Sequence, residues 1–209
     1  ALTNTLTAAG DTLWLRGGTY PGTYVSRLKG SAPNYITVDN YTNEVVMFDN
    51  SEFGNLDIAV LAGTGNFMIT GGKYWQVAQV IIIDNEKMQL ASLANETNWT
   101  VNRAWDGTTA ASHAKDSRII LEASIIEHYG TNTIFRDLFM TSVRATNRVI
   151  SPAGVDNWYV SPGINLVNNT SKGNKVIDCI FYNVGHPAIG FWDQGDNGEV
   201  NGCIMWGNG

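Results

Sequence analysis

Asn174-Lys175-Val176-Ile177-Asp178-Cys179-Ile180-Phe181-Tyr182 and Gly198-Glu199-Val200-Asn201-Gly202-Cys203-Ile204-Met205-Trp206 are one pattern written twice, 24 residues apart. Val176 matches Val200, Cys179 matches Cys203, Ile180 matches Ile204, and an aromatic residue matches an aromatic residue. Asn132-Thr133-Ile134-Phe135-Arg136-Asp137-Leu138-Phe139 fits the same template, as does Asn66-Phe67-Met68-Ile69-Thr70-Gly71-Gly72. About two dozen residues is the length of three short strands and three turns at ~3.3 Å per residue. Such strands are too short to bury a face alone, and parallel neighbours need a connection. A coil in which each strand serves as the connection between the others meets both demands, and stacked coils then share one core.

Upstream, Thr12-Leu13-Trp14-Leu15, Tyr35-Ile36-Thr37-Val38, Val45-Val46-Met47-Phe48 and Ile58-Ala59-Val60-Leu61 repeat the rhythm between Gly and Asn punctuation. No two-residue hairpin turn or helix-length crossover joins them. The expected fold is all-β: a right-handed parallel β-helix of roughly 24 residues per coil, with a small β-rich insertion. Residues 1–75 are expected to form the N-terminal coils, 76–120 an inserted subdomain, and 121–209 further coils. The Ala1 start, with no initiator Met, and the mid-repeat stop at Gly209 are expected of a processed or excised piece.

The composition agrees and excludes some functions. The 209 residues are 44% hydrophobic but only 15% charged, with 22 Gly, which suits short strands joined by polar turns. The net charge is −6 and no basic run occurs, so nucleic acid is not an expected partner. No stretch reaches the ~20 apolar residues of a membrane span, so no membrane role is expected. Stacked coils would bring Cys179 and Cys203 to ~4.8 Å, within disulfide reach, although a pair of buried thiols is the simpler reading.

Ala9-Gly10-Asp11-Thr12-Leu13-Trp14-Leu15-Arg16-Gly17-Gly18-Thr19-Tyr20 resembles the first coil of the polysaccharide-lyase-like β-helix superfamily, which includes alginate lyases and chondroitinase B. The likeness continues to about Gly72 and resumes at Gly185-His186-Pro187-Ala188-Ile189-Gly190. It implies the fold and leaves the chemistry open. A second resemblance lies inside 76–120, to a small β module of tailed-phage structural proteins with the pattern Ile-Asp-x-Glu-x-Met, then Arg-Gly-x-x-Gly-Thr-x-Ala-x-x-His. Ile83, Asp84, Glu86, Met88, Arg103, Gly107, Thr108, Ala110 and His113 fit it at the right spacing, and Ala104 stands where the pattern has Gly. His113 and Arg103 are expected to hold this loop together through a hydrogen bond. The module implies a virion or extracellular location.

Candidate chemistry is sparse. Arg136, Arg144, Arg148, Lys172 and Lys175 offer the cations a lyase would need, but they read as solvated surface charge. Trp192, Asp193, Asp196 and Glu199 form the best sugar-binding cluster, because an aromatic face stacks on a pyranose and carboxylates accept its hydroxyls. Asp193 and Asp196 are the candidate catalytic carboxyls, and turn formation is the simpler reading of both. Three scattered His residues give no metal site. No cofactor is expected: Ca²⁺ would serve only as a bridge to an acidic polymer, and no ligand motif supports it. The expected function is a virion-associated β-helix, as tail, spike or decoration protein, contacting host glycan. Its partners would be other virion proteins or itself, as a homotrimer. The alternative is a polysaccharide-degrading lyase or glycoside hydrolase.

Overall fold

The structure is a computed structural model that describes residues 7–51, 54–72, 75–95, 98–142, 162–167, 172–185, 187–191 and 197–207. The chain runs through β1 (Thr12–Leu15), β2 (Gly18–Pro21), β3 (Tyr24–Ser26), β4 (Ile36–Asn40) and β5 (Val46–Asn50). It continues as β6 (Gly54–Asn55), β7 (Phe67–Thr70), β8 (Val80–Ile83), β9 (Glu86–Leu93), β10 (Asn98–Asn102) and β11 (Arg118–Glu122). Then follow β12 (Ile126–His128), β13 (Thr133–Arg136), β14 (Phe139–Ser142), β15 (Ile164–Leu166) and β16 (Lys175–Ile177). The last strands are β17 (Ile180–Tyr182), β18 (Ile189–Phe191), β19 (Glu199–Asn201) and β20 (Ile204–Trp206). These elements fall into two compact units, one holding 7–51, 124–142 and 162–207 and the other 54–123.

The first unit consists of three parallel sheets, in the orders β1-β4-β13-β16-β19, β2-β5-β14-β17-β20 and β3-β12-β15-β18. Each of the first four passes of the chain adds one strand to each sheet, and β19 and β20 extend the first two, a pattern consistent with a parallel β-helix. The repeat quoted first is in register, with Val176 opposite Val200, Ile180 opposite Ile204 and Tyr182 opposite Trp206. Alternation sends every second residue inward, which makes columns such as Leu13–Val38–Phe135–Val176 and Tyr20–Phe48–Met140–Phe181. Val38, Phe135, Val176, Met140 and Phe181 are fully buried in one core cluster. Each such side chain contributes about 1.5–3 kcal/mol by leaving water. Between the first two sheets the chain turns through a left-handed residue, Asp137 (φ 54°) or Asp178 (φ 53°), a conformation Asp tolerates better than most. The corner amides bond to the next pass, Asp137 N–H to the Ile177 carbonyl at 3.2 Å and Asp178 N–H to that of Asn201 at 2.8 Å.

A polar network also runs through this core. The Thr133 amide donates to Asn174 Oδ1 at 3.0 Å, and Asn174 Nδ2 donates to the Gly130 carbonyl at 3.1 Å. Those bonds fix the amide's orientation, so His128 Nε2 must donate to Asn174 Oδ1, 3.3 Å away. His128 Nδ1 is then the acceptor for the Ser26 hydroxyl at 2.8 Å. The ring is fully buried, and desolvation pushes its pKa down to about 4 against the opposing pull of Asn174.

The second unit is antiparallel, in the order β6-β11-β8-β9-β10-β7. The sheet curls until its outer strands meet, since a Cβ on Gly54 would lie 2.7 Å from the Thr70 carbonyl oxygen. Leu56, Ile69, Trp75, Ile81, Ile83, Met88, Leu90, Trp99, Val101, Ile119 and Leu121 fill its interior. Two sequence expectations change here. Asn66–Thr70 belongs to no coil, because β7 pairs antiparallel with β10, with Ile69 opposite Trp99. Ile58–Leu61 forms no strand: Val60 makes an isolated antiparallel bridge to His113, and Ile58 and Leu61 are exposed. A four-residue apolar run reads alike in parallel and antiparallel settings, and only its partner separates them.

Candidate functional site

The module's spaced residues converge on one carboxylate. β8 and β9 form a tight hairpin whose turn residue Asp84 is left-handed (φ 52°), which brings Asp84 and Glu86 to the same end of the unit. Glu86 lies at the start of β9 with no accessible side-chain surface, and Arg103, just past β10, is 5% exposed. Arg103 donates from Nε to Glu86 Oε1 at 3.0 Å and from Nη2 to Oε2 at 2.6 Å, a two-pronged charge-assisted pair. Its remaining donors reach the carbonyls of Leu61 (2.8 Å), Thr64 (3.0 Å) and Ala111. Glu86 also accepts the amides of Ala104 at 3.0 Å and Ala111 at 2.9 Å. The imidazole of His113 bridges two carboxylates, with Nε2 2.9 Å from Glu86 Oε2 and Nδ1 2.8 Å from Asp84 Oδ2.

Burial alone would raise the Glu86 pKa. Arg103, the Ala111 amide, His113 and the Ala104 amide outweigh it and hold the group at about 2. His113 and Arg103 thus act on the loop through Glu86 rather than through a bond to each other. The two Gly positions of the pattern are both left-handed, Gly107 at φ 77° and position 104 at φ 52°, where this chain has Ala. The Thr108 hydroxyl donates to the Trp105 carbonyl at 2.8 Å and accepts the Lys87 amide at 3.2 Å. Lys87, on the opposite face of β9, is 2.8 Å from Glu122 and 3.1 Å from Asp106. Bonded in this way, Glu86, Arg103 and His113 fix the loop, while the Asp84 carboxylate keeps 55% of its side-chain surface exposed.

Of the sugar-binding cluster, Trp192, Asp193 and Asp196 lie outside the described residues, as do His186, Arg144 and Arg148. Glu199 is described and pairs with Lys175 at 2.7 Å across adjacent strands, with Lys175 Nζ 5.0 Å from the Tyr35 ring centroid. Arg136 is likewise no free solvated cation, since its guanidinium grips Asp39, from Nε at 3.0 Å, and approaches Asp137 at 3.6 Å. Among the described residues no three His, Cys, Asp or Glu side chains are grouped to hold a metal ion.

A feature the sequence did not flag lies on the outer side of the β1-β4-β13 sheet. Where Leu13, Val38 and Phe135 point inward, the next residues Trp14, Asp39 and Arg136 point out. With Asn40, Tyr41, Thr42, Asn43 and Asp137 they line an open cleft of about 290 Å³. Trp14 is 54% exposed and Tyr41 stands edge-on to it at 6.3 Å. The one available signal was the apolar alternation of Thr12–Leu15, which turns Trp14 away from the core.

No family model and no curated protein matches the chain. Among solved structures, the tailspike gp61 of Pseudomonas phage phi297 superposes at TM-score 0.23 and 12% identity, over 92% of this chain and 42% of that one. The chain therefore spans less than half of that tailspike, and a superposition this loose says nothing about the chemistry of either protein.

Proposed function

We propose that the chain is a structural module of a virus particle: a right-handed parallel β-helix scaffold that contacts surface glycan and cuts nothing. The observation that carries this reading is the expenditure of the polar groups. Glu86, Arg103, Thr108 and His113 are spent on one another and on nearby backbone, and the half-exposed Asp84 is bonded to the His113 ring. Of the cations that a lyase would use, Arg136 and Lys175 are held in ion pairs on the scaffold. The virion assignment rests on the resemblance of the second unit's motif to a module of tailed-phage structural proteins. Open strand edges of stacked coils favour self-association, and a homotrimer or docking onto another virion protein would cover them.

The test is incubation with alginate, pectate, chondroitin and capsular polysaccharide, read as new reducing ends and as absorbance of unsaturated uronates. No turnover is expected. Turnover abolished by Asp193→Ala or Asp196→Ala would replace this reading with an enzymatic one. Light scattering on the purified chain checks self-association, with a trimer mass expected and a monomer at all concentrations counting against it.

A further inference from the structure

We infer that the cleft between Trp14 and Asp137 is a binding site for an uncharged hexopyranose unit, a proposal that builds on the glycan-contacting reading above. Its aromatic wall is held in place. The Arg16 guanidinium lies 5.2 Å from the Tyr41 ring centroid and is itself bonded to Glu44 at 2.9 and 3.1 Å. Tyr41 is thereby fixed between Arg16 and Trp14, and the Tyr41 amide is tied to the Leu15 carbonyl at 2.8 Å. The exposed Trp14 presents an electron-rich face, which suits the C–H groups on the apolar side of a pyranose. An aromatic ring that need not reorganise loses little entropy on binding.

The polar side is equally fixed. Asp39, on the strand next to Trp14, is only 2% exposed and is neutralised by Arg136 on the strand beyond. Asp39 Oδ1 also accepts the Asn40 amide at 2.9 Å. Asp137 is different: its carboxylate meets only the 3.6 Å approach of Arg136 and stays 44% exposed at the cleft. It retains acceptor capacity for sugar hydroxyls, with Asn40 and Asn43 beside it as further hydrogen-bonding groups. The three strands place these groups about 4.8 Å apart per step, so ring face and acceptors flank one ligand.

Charge selects the sugar class. Among the described residues that line the cleft Arg136 is the one cation, set against Asp39 and Asp137, and its Nε and Nη2 already face Asp39. Asp178 approaches from the next corner, in a second depression shared with Asp137. With two carboxylates against one guanidinium, the cleft carries excess negative charge that would repel a uronate or sulfated sugar. A neutral or N-acetylated hexose meets no such repulsion.

The experiment is calorimetric titration of the full chain with dextran, mannan and N-acetylglucosamine hexamer, with polygalacturonate as the acidic probe. At least one uncharged probe should bind saturably, and Trp14→Ala and Asp137→Asn should each weaken it at least tenfold. Trp14 is largely exposed, so its variant should keep the parent's urea midpoint, which separates lost binding from lost folding. Absence of binding to all three uncharged probes overturns the proposal. So does undiminished affinity in Trp14→Ala, or a preference for polygalacturonate. Failure here without polysaccharide turnover removes the cleft and leaves the structural reading standing, whereas turnover removes the structural reading whatever the cleft binds.

Discussion

Replacing Glu86 by Gln keeps the volume of the side chain and removes the charge around which the second unit's loop is built. Arg103 would remain in place, 5% exposed, with its counter-ion gone and an amide NH₂ competing for the site of an acceptor. Removing one partner of a buried ion pair costs about 3–5 kcal/mol. An independent route gives a similar size. The carboxyl sits at about 2 against an ordinary value of 4.5, a preference for the ionised form of about 3 kcal/mol at 1.36 kcal/mol per unit. The depressed value also fixes the pH window: this stabilisation is fully present above 4.5 and is lost as pH falls towards 2. Urea unfolding followed by tryptophan fluorescence reads the loss, since Trp75 and Trp99 are buried in this unit. At a slope of about 1–3 kcal/mol/M, a loss of about 3 kcal/mol lowers the midpoint by roughly 1–3 M. The paired change Glu86→Leu with Arg103→Met should be milder than Glu86→Leu alone, because no charge is then stranded. A Glu86→Gln midpoint equivalent to less than about 1 kcal/mol would refute the hub role.

Ala104→Gly relieves a left-handed alanine and should stabilise the unit by about 0.5–1 kcal/mol in the same urea assay, the strain removed exceeding the entropy added to the unfolded chain. His128 should make stability fall by about 3 kcal/mol as pH drops from 6.5 to 4, because the unfolded chain binds that proton first; His128→Gln should flatten the slope in that window, seen in midpoints at pH 7 and 4.5. Cys203, lowered to about 7 by the Cys179 thiol donating to it, should alkylate with iodoacetamide at pH 8 well before the fully buried Cys179, as peptide mass spectrometry would show.

The parallel strands of the first unit were legible because register leaves a mark in sequence. Val176 and Val200 recur at a fixed spacing only if each pass of the chain has the same length. The antiparallel sheet was less legible, since Phe67–Thr70 has the length and polarity of a coil strand and its partner β10 lies some thirty residues on. The module's polar residues could be picked out by spacing, but the sequence did not rank them. Glu86 becomes the hub because it faces inward at the start of β9, where five donors can reach it. His128 carried no mark, as its partners Ser26 and Asn174 come from other passes of the chain. The cleft was hidden for the same reason. Trp14, Asp39 and Arg136 are unremarkable singly, and a whole second unit separates two of them along the chain.

The central claim, a scaffold that holds glycan without cutting it, is tested most directly by the chain length of a bound polysaccharide. After overnight incubation with a molar excess of protein, size-exclusion chromatography of the bound glycan should return the starting length distribution. A shift to shorter chains would contradict the account.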